Sequence, residues 1–77
     1  MPVYSYDAFR RVLRARGFDL ARSKKHETWR RDDPATGEVS IVRVSHQAGR
    51  DIPRDLFHAM LRQAGMTHDE FRRLLGA

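Results

Sequence analysis

The sequence predicts a small α+β domain in which helices cover one face of a three-stranded antiparallel sheet. Three observations lead to this fold class: a helical apolar period near the N-terminus, three short strand-like segments in the middle of the chain, and two further helical segments after residue 53. The predicted order of elements is therefore α-β-β-β-α-α. At 77 residues the chain has room for one hydrophobic core, so we expect a single domain over 1–77.

The first helix is predicted from about Ser5 to Arg16. Its apolar residues recur at helical spacing, and arginines occupy the opposite face. The apolar set is Tyr6, Phe9, Val12 and Leu13, and the arginine set is Arg10, Arg11 and Arg14. Ser5 or Asp7 can cap the first turn, and Gly17 is the type of residue that commonly ends a helix.

Three strands are predicted in the middle of the chain. The first covers 18–22, and the second covers 26–31 and directs Trp29 toward the core. The turn-forming residues 32–37 join the second strand to a third, 38–44, in a hairpin. Because apolar residues occur on both faces of the third strand, we expect it at the centre of the sheet.

Two helices are predicted in the last third of the chain. Residues 54–64 form an amphipathic helix that ends at Gly65. Its inward-facing residues are predicted to be Leu56, Phe57, Met60 and Leu61. A short C-terminal helix follows, and its start is indicated by a capping box in which Thr67 and Glu70 have the required spacing of three.

Positive charge is concentrated in the first part of the chain. The formal net charge is +5, and residues 1–31 carry nine Lys or Arg against three acids, whereas residues 32–77 carry six against seven. This asymmetry is typical of a protein that binds a polyanion on one face. The alternative is that Arg is simply the preferred cation of this proteome, since the chain has 13 Arg and 2 Lys.

The segment 22–31 concentrates the residue types best suited to binding a nucleic acid. It places five cations around His26 and Trp29. The cations can bind backbone phosphates by charge, and Trp29 can stack on a base. The alternative for Trp29 is a core anchor, which a lone Trp in so small a domain more often is. Strand alternation favours the core, because it puts Trp29 on the face opposite His26.

Residue content also limits the chemistry of the chain. There is no cysteine, so disulfides and thiolate metal sites are excluded and a cytoplasmic location is compatible. The chain has none of the common zinc-hydrolase, phosphate-loop or serine-hydrolase motifs, so we expect no metal and no cofactor. No apolar run approaches the ~20 residues that cross a bilayer, so we expect a soluble protein.

Cleavage of RNA needs neither a metal nor a cofactor. The 2′-hydroxyl is already held beside its phosphorus, so the protein has to move protons and stabilise charge on the phosphorane. His26 is a candidate base, and Lys24 and Lys25 disfavour a nearby imidazolium and can bind the phosphate. The alternative is that His26 is a polar strand residue in a solvated basic patch.

Other polar residues are weaker candidates. His46 follows the third strand and can enter the same groove, as an RNA contact or a second proton carrier, or it can be structural. His58 and His68 fall in or beside predicted helices, where a structural role is the simpler interpretation. Three more arginines can extend a phosphate track, although exposed Arg is usually a solvated surface residue. These are Arg43, Arg50 and Arg54.

The chain resembles the HicA-type mRNA interferase toxins, small bacterial proteins with a fold similar to the double-stranded-RNA-binding domain. The motifs that carry the resemblance are, in chain order, Arg16-Gly17-Phe18, His26 followed by Trp29, the turn from Asp33 to Gly37, a valine-rich strand, His46 leading to Asp51-Ile52-Pro53, and Leu61-Arg62-Gln63-Ala64-Gly65-Met66-Thr67. The chain departs from the family at two places. Lys24-Lys25 stand where the family usually has a small pair, and Pro53-Arg54-Asp55-Leu56 stand where it often has Pro-x-Gly-Thr.

The resemblance implies a metal-independent endoribonuclease, the toxin of a type II toxin–antitoxin system, that cleaves mRNA with His26 and is covered by a HicB-type antitoxin. Our leading hypothesis gives Lys24 and Lys25 the role of stabilising phosphate charge, with Arg22, Arg30 and His46 assisting RNA binding. A non-catalytic RNA-binding module with the same basic patch is the main alternative. A third is a structural protein whose basic face docks on an acidic partner.

Overall fold

The computed structural model describes residues 3–46 and 49–76, and in these it has the predicted α+β architecture. The elements are α1 (Tyr6–Arg16), β1 (Asp19–Ser23), β2 (Glu27–Asp32), β3 (Val39–Val44), α2 (Arg54–Ala64) and α3 (His68–Leu75). The strands form one antiparallel sheet in the order β1-β2-β3. The predicted fold class and element order are thus confirmed.

Local sequence signals fix the ends of the helices. The Ser5 hydroxyl accepts a hydrogen bond from the backbone N–H of Ala8 and caps α1, as predicted. At the other end, Gly17 has φ +99°, a left-handed conformation that favours glycine. In α3 both halves of the predicted capping box form, between Thr67 and Glu70.

Helices cover one face of the sheet, and the core lies between the two layers. Trp29 is 1 % exposed and Val42, its partner across the sheet, is fully buried, so the prediction of Trp29 as a core residue is confirmed. A group of aromatic rings joins the helices to one another. Phe9, Phe57 and Phe71 pack with ring centroids 5.0–5.9 Å apart.

Two predictions about apolar residues were wrong. The third strand is at an edge of the described sheet, because it pairs with β2 alone. Its two faces also differ: Val42 and Val44 are buried, whereas Val39 and Ile41 are about half exposed. Leu56 was predicted to face inward but is 41 % exposed, because the buried face of α2 begins at Phe57.

The chain before α1 and the chain before α2 are joined by backbone pairing. Ser5 and Asp51 form an isolated antiparallel bridge, and the N–H of Ile52 donates to the carbonyl of Tyr4 at 2.8 Å. This pairing brings the start of α2 beside the start of α1. Gln47 and Ala48, in the predicted loop after the third strand, lie outside the described residues.

Candidate functional site

The face of the sheet that carries no helices, called the open face below, bears a row of cations. Strand register sets this row, because residues paired across antiparallel strands point to the same side. Arg22 pairs with Thr28, and Thr28 pairs with Arg43. The next row places Arg30 between Asp19 and Ile41. Arg22, Arg30 and Arg43 are all exposed, so three guanidinium groups share one accessible surface.

The turn between β1 and β2 extends this positive surface beyond the ends of the strands. Residues 24–26 form a bend, and each of the three side chains, Lys24, Lys25 and His26, is exposed. His26 was predicted as the first residue of the second strand, but the strand begins at Glu27 and His26 belongs to the turn. Its side chain therefore lies at the tip of a hairpin.

These cations are largely without protein partners. Within residues 3–46 and 49–76, the side chains of Arg22, Lys24, Lys25 and His26 make no hydrogen bond or ion pair. Arg30 donates to Asp32 at 2.8 Å, but both side chains are more than half exposed. Such a surface pair contributes little, on the order of 0–1 kcal/mol, and leaves most of the guanidinium donors of Arg30 accessible.

The covered side of the same hairpin is organised around Glu27. One oxygen of its carboxylate accepts hydrogen bonds from Nε of Arg10 at 2.9 Å and from Nε1 of Trp29 at 3.0 Å. The other oxygen lies 3.5 Å from Nδ1 of His46. We call these four residues the Glu27 cluster. It joins α1, β2 and the segment after β3 at one end of the sheet.

Arg10 is the most heavily used cation of the described chain. Its guanidinium donates to Glu27, to Asp7 at 2.7 Å and to the carbonyl of Ser45 at 2.8 Å. The sequence placed Arg10 on the polar face of α1, yet its side chain is only 11 % exposed. The physical reason is that the carboxylate of Glu27 on β2 is only 13 % exposed and is stabilised by a cation, and Arg10 is within reach of it.

The carboxyl group of Glu27 is held in its charged form. Burial of the group favours the neutral acid, but the hydrogen bonds from Arg10 and Trp29 and the positive charges of Arg10 and His46 outweigh that effect. The pKa of Glu27 is consequently below its ordinary value of 4.5.

His46 and Trp29 therefore differ from the other residues singled out in the sequence. His46 contacts Glu27, whose side chain points to the covered face, and so it is not brought into the row of arginines. Trp29 has no free face for a base, because it is buried and the guanidinium carbon of Arg14 lies 5.1 Å from its ring centroid. Base stacking on Trp29 is thereby ruled out.

Sequence reasoning missed the Glu27 cluster as a structural unit. The available signal was an acidic residue two positions before a buried Trp on the same strand face. Its partners are 17 residues away at Arg10 and 19 away at His46, and local periodicity carries no information about them. The sequence predicts Arg43 only as an extension of the phosphate track, whereas register places it in the same row as Arg22.

The part of the chain that the structure describes contains no candidate metal-binding site. No group of three or more His, Asp or Glu there is arranged to hold a metal ion. None of the described helices has the length and apolar character needed to cross a membrane.

In comparisons with known proteins, no family model, curated protein or solved structure matches this chain.

Proposed function

We propose that this protein is a metal-independent endoribonuclease of the toxin class, which binds RNA on the open face of its sheet and cleaves it with His26. The observation that carries the proposal is a set of exposed cations that outnumber the two acids of the open face, Asp19 and Asp32. They are Arg22, Arg30 and Arg43 on that face and Lys24 and Lys25 beside His26 at the hairpin tip. Phosphate binding by such a surface needs accessible cations, and the cations here have few protein partners.

The proposed reaction uses the nucleophile that RNA supplies. His26 accepts the proton of a 2′-hydroxyl, the 2′-oxygen forms a bond to phosphorus, and the bond from phosphorus to the 5′-oxygen breaks. The leaving oxygen takes a proton from solvent water, and the products are a 2′,3′-cyclic phosphate and a 5′-hydroxyl. Lys24 and Lys25, next to His26 in an exposed turn, can neutralise charge that develops on the phosphorane.

The proposed partners follow from the same surface and from the family resemblance. The substrate is mRNA, and the inhibitor is a HicB-type antitoxin that covers the open face. Val39 and Ile41 are about half exposed on that face beside Arg30, so it offers apolar as well as cationic contacts to a protein. A cytoplasmic location fits a protein that acts on mRNA.

A non-catalytic RNA-binding module is the alternative, and one observation favours it. His46 contacts Glu27 on the covered side, and no other imidazole forms a hydrogen bond to His26 among the described residues. His26 itself has no hydrogen-bond partner there to orient its ring. A module would use the same cations to bind RNA without cutting it.

Cleavage of a labelled RNA by the purified protein in EDTA tests the proposal. The wild type is compared with His26→Ala and with a control, Arg62→Ala, which changes an exposed residue of α2. We expect His26→Ala to lose about 10²–10⁴-fold in cleavage rate while it still binds RNA, because general acid–base catalysis contributes that much. We expect Arg62→Ala to cleave normally and the products to carry cyclic phosphates.

Two other results would change the conclusion. Cleavage by His26→Ala at the wild-type rate would contradict the role of His26. A folded wild type that binds RNA and never cuts it would establish the binding module instead.

A further inference from the structure

A pocket of about 300 Å³ lies away from the open face, where the chain before α1 meets α2 and α3. The residues that line it are Val3, Tyr4, Ile52, Arg54, Phe57, His58 and His68. Its volume is at the small end of the range for ligand sites in proteins, so it suits a small molecule or one unit of a polymer. The function proposed above makes no use of it.

Aromatic rings form most of the pocket wall. Tyr4 stacks on Phe57 with centroids 5.1 Å apart, and His58 and His68 meet Phe57 edge to face at 5.7 and 5.5 Å. The Tyr4 hydroxyl and Nε2 of His68 are hydrogen-bonded at 3.1 Å, which fixes both rings. A wall of fixed rings favours a flat, apolar-faced ligand. The His58 imidazole adds hydrogen-bonding groups at its edge.

Charge decides between the two classes of ligand that aromatic walls select. Such walls bind organic cations as well as flat rings. Here the one permanently charged residue of the lining is Arg54, and none of the described lining residues is acidic. Arg54 is exposed and its side chain has no hydrogen-bond or ion-pair partner in the described chain. A cation is therefore disfavoured, and a ring that carries an anionic group is favoured.

We propose that this pocket binds a single nucleotide, with the base against the partly exposed rings of Tyr4, His58 and His68 and the phosphate on Arg54. A base supplies the flat ring and the polar edge, and a phosphate matches the planar donors of a guanidinium. The choice of a nucleotide over other aromatic anions rests on the proposed function, because RNA and its fragments are the aromatic anions that such a protein meets. The pocket is a second nucleotide site, separate from the hairpin tip that carries His26.

Binding of three probes to the intact protein tests the assignment. Adenosine 5′-monophosphate carries ring and charge, adenosine carries the ring, and inorganic phosphate carries the charge. We expect the monophosphate to bind at least about fivefold more tightly than either of the others by calorimetry or by NMR titration. The amide signals of the pocket residues are expected to move together in the NMR titration.

Two variants and a matched control assign the contacts. Arg54→Ala is expected to weaken the monophosphate roughly tenfold and to leave adenosine unchanged, since one charge-assisted hydrogen bond is lost. Arg62→Ala, on the same helix and also exposed, is expected to change neither. His58→Ala is expected to weaken adenosine and the monophosphate alike, because it removes a wall of the pocket. Circular dichroism checks that each variant is folded.

The inference is overturned if the monophosphate binds no better than phosphate, or if Arg62→Ala weakens it as much as Arg54→Ala. Failure of the pocket and failure of the proposed function are distinguishable. An empty pocket in a protein that still cleaves RNA through His26 would overturn the pocket alone. If the pocket binds the monophosphate but substitution of Arg22, Arg30 and Arg43 leaves RNA affinity unchanged, the open-face proposal alone would be overturned.

Discussion

The two faces of the β1–β2 hairpin use charge in opposite ways. On the covered face, Glu27 is 13 % exposed and pairs with Arg10 of α1, which is 11 % exposed. Glu27 also accepts a hydrogen bond from Trp29, and both charged residues contact the segment after β3. On the open face and at the hairpin tip, exposed cations have few protein partners. The contrast teaches that charged residues of one short segment serve stability on one side and remain available for ligands on the other.

Burial also differs along the covered face. Trp29 and Leu20 show this, because they are directly paired across β1 and β2 and so point to the same side of the sheet. Trp29 is 1 % exposed and Leu20 is 47 % exposed. We expect Trp29→Ala to lower the free energy of unfolding by about 3–5 kcal/mol, through lost burial and a cavity. Leu20→Ala is expected to change it by less than about 0.5 kcal/mol. Urea denaturation measures both, and equal losses would contradict the assignment of the core.

The two Arg–carboxylate pairs of β2 differ in the same way. Glu27→Gln removes the shielded one of the two carboxylates that pair with Arg10, the other being the exposed Asp7, and we expect a loss of about 1–3 kcal/mol in the free energy of unfolding. Asp32→Asn breaks the exposed pair with Arg30, and the expected loss is at most about 1 kcal/mol. Denaturation of both variants at neutral pH measures the difference. A greater loss for Asp32→Asn would mean that the Glu27 cluster does not stabilise the hairpin.

The lowered pKa of Glu27 predicts how its contribution depends on pH. Its pKa in the folded protein is below the ordinary value of 4.5, so the carboxylate stabilises the fold fully above that value. The contribution is lost as pH falls from 4.5 through the folded pKa. The advantage of wild type over Glu27→Gln in the free energy of unfolding is therefore expected to shrink below pH 4.5. An advantage that grows on acidification would contradict the sign of this shift.

Much of the fold follows from local sequence. The helices are specified by their apolar period and by caps at Ser5, Gly17 and Thr67, all of which form in the structure. The exposure of one apolar row of β3 could not be predicted in this way, because an apolar residue on a strand does not reveal whether a helix covers its face. Ile41 and Val42 are adjacent in the chain, yet one is half exposed and the other is fully buried.

The sequence predicts which residue types the candidate site contains, but not how they are arranged in space. The sequence identifies a basic segment around His26, but alternation within one strand cannot bring Arg43 beside Arg22. Two pairings through Thr28 do so, and register depends on the turns and on which face is buried. His46 was a candidate for the same groove, but it lies beside Glu27 instead. Arg10 donates to the carbonyl of the preceding residue, Ser45, and this long-range contact cannot be predicted from local sequence.

The smallest expected effects are those of single open-face cations on RNA affinity. Arg22→Ala and Arg43→Ala are each expected to weaken RNA binding a few-fold and to reduce the slope of log affinity against log salt by up to about one, without changing stability. Arg72→Ala is the control, because Arg72 is an exposed arginine of α3 that pairs with Asp69. An equal loss for Arg72→Ala would indicate a diffuse charge effect and not a defined surface.

The most direct test of the contrast between the two faces is an NMR titration of the wild type with a short single-stranded RNA at low salt. We predict that the largest amide shifts map to residues 22–30 and to Arg43, with Lys24, Lys25 and His26 among the strongest. Added salt should reverse these shifts, because phosphate contacts weaken as salt rises. Silent strands, with all shifts confined to the outer surfaces of α2 and α3, would contradict the open face as the RNA-binding surface.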